Sequence, residues 1–102
     1  MFSEKANAIF QEVIDTYHIV PTVDQPFTNS YEISKDLLGH LLYRKCWIDT
    51  VQWHYEDIIR APEIDPTAAL KLKRLIDASN QDRTDMVEYI DSYFLEKYKY
   101  LL

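Results

Sequence analysis

A chain of 102 residues with 47% hydrophobic side chains suffices for one compact domain and is too apolar for intrinsic disorder. Seventeen acidic against eleven basic residues, a formal charge of −6, argue against nucleic acid as a partner, because phosphate binding depends on Lys and Arg. A single Gly argues against sandwiches, barrels and phosphate-cradling loops, and a single Cys rules out an internal disulfide or a thiolate zinc site.

The first element opens near Ser3, a suitable N-cap, and runs to about residue 18. Ala6, Ile9, Phe10, Val13, Ile14 and Tyr17 recur at helical spacing and form one apolar stripe. Pro21 ends it, and His18 to Phe27 reads as an extended connection. Nothing in the first ten residues has the basic start and apolar core of a secretory signal, and no apolar run approaches the ~18 residues of a membrane span. A cytoplasmic protein without membrane contact is the expectation.

Asn29 and Glu32 have capping-box spacing, which predicts a second helix over about 30–60. Its apolar face is Ile33, Leu37, Leu38, Leu41, Ile48, Val51, Tyr55, Ile58 and Ile59. Gly39 within it costs ~1 kcal/mol relative to Ala, which points to close approach by a neighbouring backbone. Pro62 stops the helix near Arg60. Asp65 then caps a third helix, with Pro66 at its first position, predicted over 66–101. Its apolar positions run from Ala69 through Leu72, Leu75, Ile76, Met86 and Ile90 to Leu101. The short loop between two long helices forces them antiparallel. The expected fold is therefore all-α: one helical domain over residues 1–102, a short N-terminal helix plus a long antiparallel hairpin, three-helix bundle-like.

Docking the end of the second helix on the start of the third places Arg60 near Thr67. Ile48 then meets Ser79, Leu41 meets Met86, Lys45 meets Asp82, and Gln52 lies close to Leu75 and Ile76. Lys45, Asp49, Gln52, Ser79, Asp82 and Arg83 interrupt the apolar seam in this register. Asp82 and Arg83 are expected to pair with Lys45, Arg44 or Asp49. Such a layer is either a buried ion-pair and hydrogen-bond network that pins helix register, or a polar pocket for a small anionic or hydroxylated ligand.

His54 and Asp57, three apart on one helix face, match half of a general-base or metal-ligand arrangement, but the spacing is first of all that of an ordinary helix-surface pair. His40 lies about 21 Å from His54 along the axis, too far to share an ion. Asp82, Asp85, Glu88 and Asp91 drift by about 60° per step, so they do not converge on one ion either. Glu56, a candidate partner carboxylate, has Arg60 at i+4. No metal and no cofactor are expected. Cys46 is about 12 Å from His54 along the helix, which excludes a Cys–His nucleophile pair by spacing.

The string LLYRKCWIDTVQWHYEDIIR (Leu41 to Arg60), followed by Ile64-Asp65-Pro66 and KRLIDASNQDRTDMVEYID (Lys73 to Asp91), resembles an uncharacterised bacterial family of all-helical proteins known only as a domain of unknown function. Residues of the signature include Trp47, Asp49, Gln52, Trp53, His54, Glu56, Asp57 and Arg60, then Asn80, Gln81, Asp82, Arg83, Asp85 and Glu88. The resemblance spans roughly residues 30 to 95. It implies a bacterial, all-helical, cytoplasmic protein with no assigned activity. Members are often longer, so the chain reads as a short version that covers an open face by self-association.

Two functional expectations follow. One is a non-enzymatic helical module that forms a homodimer through faces bearing Tyr43, Trp47, Trp53, Tyr89, Phe94, Tyr98 and Tyr100, which one short first helix cannot cover. The alternative is a small-molecule-binding or hydrolytic protein with a site drawn from Lys45, Asp49, Gln52, His54, Asp57, Asn80, Asp82 and Arg83. The two differ in whether these side chains satisfy one another or line an open concavity.

Overall fold

The computed structural model describes residues 2–19, 22 and 25–99. They contain three helices, α1 (Phe2–Tyr17), α2 (Leu37–Ile59) and α3 (Pro66–Tyr98), and no strand. The fold is all-α. Helix α1 lies along α2, and α2 lies along α3, so α2 is the central element. At one end α1 and α3 also meet, where the Phe2 and Phe94 rings pack edge to face at 5.3 Å. The molecule is elongated, 54 × 28 × 21 Å.

Helix α1 buries Ala6, Ile9, Val13 and Tyr17. Phe10 and Ile14, expected on the same stripe, are exposed. A helix packed on one neighbour covers a narrower arc than one packed on two. Ser3 lies inside the first turn, since the helix already begins at Phe2. Pro21, expected to end this helix, lies outside the described residues.

Helix α2 begins seven residues later than the Asn29–Glu32 spacing predicts. Its N-cap is Asp36, whose carboxylate accepts from the Gly39 N–H at 2.9 Å. Asn29 is engaged in a different local motif. Its side-chain oxygen accepts from Tyr31 N at 2.9 Å, and its amide donates to the His40 carbonyl at 2.9 Å. An Asx turn competes for the same side chain a cap would use, and here it wins. Ile33 consequently sits in a turn and is exposed.

This connection is strapped onto α1. Tyr31 Oη donates to Glu12 Oε2 at 2.7 Å, Lys5 Nζ pairs with Asp36 Oδ1 at 2.9 Å, and Gln25 Nε2 donates to the Tyr17 carbonyl at 3.0 Å. The Tyr31 ring also leans on Tyr43, 5.8 Å between centroids. Beneath the strap the core joins the α1 stripe to Leu38, Leu42, Tyr43 and Trp47 of α2. Tyr43 has 0% exposure, and Trp47 meets Tyr17 edge-on at 5.3 Å and a tilted Phe27 ring at 5.4 Å. These two aromatics, expected on an uncovered face, are core residues because the connection and α1 together cover them.

Gly39 does mark a close approach, though by side chains. A Cβ there would stand 2.5 Å from Asp36 Oδ2 and 2.8 Å from the Tyr31 ring. Helix α3 starts as its sequence predicts: Asp65 Oδ2 accepts from Thr67 N and Ala68 N, each at 3.1 Å, with Pro66 following the cap. Tyr98 is its last α-helical residue, and the expected extension to Leu101 passes outside the described residues.

Two predictions follow from the strap. Gly39→Ala removes ~1 kcal/mol of helix penalty yet collides with the cap and Tyr31, at ~1–3 kcal/mol for overpacking and ~1 kcal/mol for the lost cap. The variant should be less stable in urea unfolding by ~1–3 kcal/mol, and a gain in stability would contradict the packing. The hydrogen bond to the Glu12 carboxylate, with burial, raises Tyr31 from 10.0 to about 12. A raised folded-state pKa means a contribution complete below pH 10 and lost between pH 10 and about 12. Wild type should therefore lose stability more steeply than Tyr31→Phe across that window, measured by denaturation at stepped pH.

Candidate functional site

The seam between α2 and α3 has two unlike sides. On one, a shallow concavity of about 290 Å³ is lined by Asp49, Gln52, Trp53, Glu56 and Arg83. Gln52 is its buried member, with 5% exposure. Its Oε1 accepts from Ser79 Oγ at 3.0 Å and its Nε2 donates to Asn80 Oδ1 at 2.8 Å. A buried amide needs both ends matched, and α3 supplies an acceptor and a donor on successive residues. Gln52 thus reaches Asn80, about one turn away from the Leu75–Ile76 neighbourhood that docking from the loop predicts. The Gln52 contacts with Ser79 and Asn80 and the Asp49–Arg83 pair mark the register that forms.

Asp49 accepts from Lys45 Nζ at 2.7 Å and lies 3.0 Å from Arg83 Nε. The Arg83 contact has an ion-pair distance but lies outside hydrogen-bond geometry, so Asp49 Oδ1 is buried without a hydrogen bond. Attraction there is Coulombic. Lys45, Asp49 and Arg83 side chains remain 27%, 35% and 50% exposed, so this is a partly solvated triad rather than a buried layer. Arg83 pairs across the hairpin as its position predicts. Asp82 does not: it is exposed and pairs with neither Lys45, Arg44 nor Asp49. It faces the opposite side of the seam. Glu56 leans toward Gln52 Nε2, at 3.4 Å, instead of toward Arg60.

His54 and Asp57 do not form a couple. The His54 ring turns toward α1, stacked on Tyr17 at 5.1 Å with an interplanar angle of 18°, and meets Trp53 and His18 edge-on. Its Nε2 is buried with no hydrogen bond among the described residues, while Asp57 stays exposed. Aromatic packing is worth ~0.5–1.5 kcal/mol, against a few tenths for an exposed i, i+3 pair. The arrangement carries no oriented base. Burial pushes the Cys46 thiol up, which leaves it a poor nucleophile. Among the described residues no three His, Cys, Asp or Glu side chains group to hold a metal ion.

On the other side of the seam, α2 and α3 part to form an open groove of about 530 Å³. Trp47, Ile48, Val51 and Tyr55 of α2 face Leu75, Ala78, Ser79 and Asp82 of α3, with Gln25 of the connection over one end. Of the residues that the polar-layer pattern singles out, only Asp82 and Ser79 line it. The apolar walls carried no chemical signal in sequence, because each is an ordinary core position. Gln25 carried none either, since a connection's path is not encoded in a helical period.

The register makes a paired prediction. Gln52→Ala removes the two hydrogen bonds by which a buried amide holds α3 and should destabilise by ~1–3 kcal/mol. Asp82→Ala, on an exposed unpaired group, should stay within ~0.5 kcal/mol of wild type. Thermal or urea unfolding of both variants checks this, and the reverse ranking would refute the assigned register.

Residues 39–102 match the model of a family described as a protein of unknown function (DUF4254), and the chain belongs to that family. Among curated proteins and among solved structures nothing matches the chain.

Proposed function

We propose that this member of a family without an assigned activity is a non-enzymatic helical module that works by self-association, as a homodimer. One observation carries the reading: α3 is 33 residues long and its buried set is Met86 alone. Leu70, Val87, Tyr89, Leu95 and Tyr98 on this helix are all exposed. A groove of about 670 Å³ runs between its C-terminal half and the start of α2, lined by Leu37, Leu41, Tyr89, Ser92, Tyr93, Glu96 and Lys97. Contiguous apolar surface with aromatic residues and a charged rim is the composition of an interface.

A second copy fits this groove for a reason of charge. Glu96, which Lys99 Nζ contacts at 2.7 Å, and Lys97, which lies over the Tyr93 and Tyr98 rings, both line it, so a two-fold axis can set each against its opposite on the partner. The middle of α3 is less suited to face itself, since Asp77, Asp82, Asp85, Glu88 and Asp91 would repel their copies. Of the aromatics expected at an interface, Tyr89, Tyr98 and Trp53 are exposed, with Tyr43 and Trp47 withdrawn into the core. In this reading the protein works in the bacterial cytoplasm, where the lone Cys46 thiol stays reduced.

Light scattering at micromolar concentration should give about twice the 12.2 kDa chain mass. Tyr89→Asp, at a residue with 55% exposure, should return the mass to one chain while retaining helical circular dichroism. A mass of one chain at every concentration for wild type would overturn the proposal.

A further inference from the structure

We propose that the open groove between α2 and α3 is a binding site for a small organic monocation, an amine on an aromatic or aliphatic body, anchored by the Asp82 carboxylate. The proposal is independent of self-association, which uses the groove at the other end of α3. Its volume of about 530 Å³ falls within the ~300–1,000 Å³ of small-molecule sites. Trp47, Val51, Tyr55, Leu75 and Ala78 make its apolar walls. The Trp47 wall is rigid, wedged between Tyr17, Phe27 and Tyr43, so little ordering is needed on binding.

The polar groups of the groove select the ligand's charge. Ser79 Oγ already donates to Gln52 Oε1, and Gln25 Nε2 already donates to the Tyr17 and Thr22 carbonyls. Among the described residues, Asp82 is the one charged residue in the lining, and it makes no hydrogen bond or ion pair with any of them. The nearest cation in sequence, Arg83, is engaged by Asp49 across the other side of the seam. An unpaired carboxylate at the edge of an apolar slot attracts an ammonium whose body can lie on the walls, and it repels anions. The formal charge of −6 reinforces that preference.

The test uses three probes of one shape: 2-phenylethylamine, 2-phenylethanol and 3-phenylpropanoate. Trp53 is exposed and outside the groove, so in a Trp53→Phe variant the remaining indole fluorescence reports on Trp47. The amine should bind saturably with Kd below about 1 mM, at least tenfold more tightly than the alcohol, and the acid should not bind. Asp82→Asn should reduce amine affinity to that of the alcohol, whereas Asp85→Asn, outside the groove lining, should leave it unchanged. Amide chemical shifts on the wild-type chain should move at Val51, Leu75 and Ala78. Equal affinity for amine and alcohol, an unaltered amine Kd in Asp82→Asn, or no saturable amine binding would each overturn the proposal. A monomeric chain that binds the amine would sink the dimer and keep this site.

Discussion

Helix α2 has to satisfy two neighbours at once, and the rest of the molecule follows from that constraint. Its buried residues, among them Leu38, Leu41, Leu42, Tyr43, Trp47, Gln52 and Tyr55, occupy more than one face. A helix with apolar side chains on several faces is stable only when enclosed. Here α1 and the strap of the connection enclose one side and α3 the other. The two enclosures differ in kind. Toward α1 the contact is dense and aromatic, centred on Tyr43 and Trp47. Toward α3 it is longer and mixed in character, and a buried amide with its two partners stands where a bundle would place Leu or Ile.

That difference explains how the charged residues are distributed. A buried ion pair carries a desolvation penalty that excellent geometry has to offset, so Lys45, Asp49 and Arg83 keep part of their surface in water. Gln52 carries no net charge and tolerates burial because Ser79 and Asn80 match both ends of its amide. The network is directional. Sliding α3 by one turn would leave an amide, a hydroxyl and a second amide unpaired, whereas apolar contacts alone would tolerate the slip. The polar seam therefore specifies alignment more than it adds stability.

The strap has a comparable logic at the other end of α2. Asp36 serves as helix cap and as ion-pair partner of Lys5, and both contacts hold its carboxyl below its ordinary range. The Lys5 ammonium contributes more to this than the Gly39 N–H. Lowered pKa means stability present above pH 4, roughly, and lost as pH falls through the carboxylate range. Tyr31 works at the opposite extreme of pH. Between those limits both tethers hold the connection against α1, which in turn keeps Phe27 and Gln25 over Trp47 and thereby shapes one end of the groove.

Local rules in the sequence sufficed for the helical class, for the Asp65–Pro66 start of α3, for the stop near Arg60 and for the antiparallel hairpin, since periodicity and caps act over a few residues. The same rules misplaced the start of α2, because Asn29 can serve an Asx turn as well as a cap and only packing around Asp36 and Gly39 decides between them. They identified Gln52, Asn80 and Arg83 as polar residues out of place, yet not the turn of offset that joins Gln52 to Asn80. Asp82 and Arg83 look alike in sequence as neighbours on α3, but 100° of helical rotation sends one to the Asp49 side and the other to the groove. Which aromatics are covered was beyond any periodic argument: Tyr43 and Trp47 are buried because residues 25–36 fold back over α1, a long-range event that no local pattern encodes.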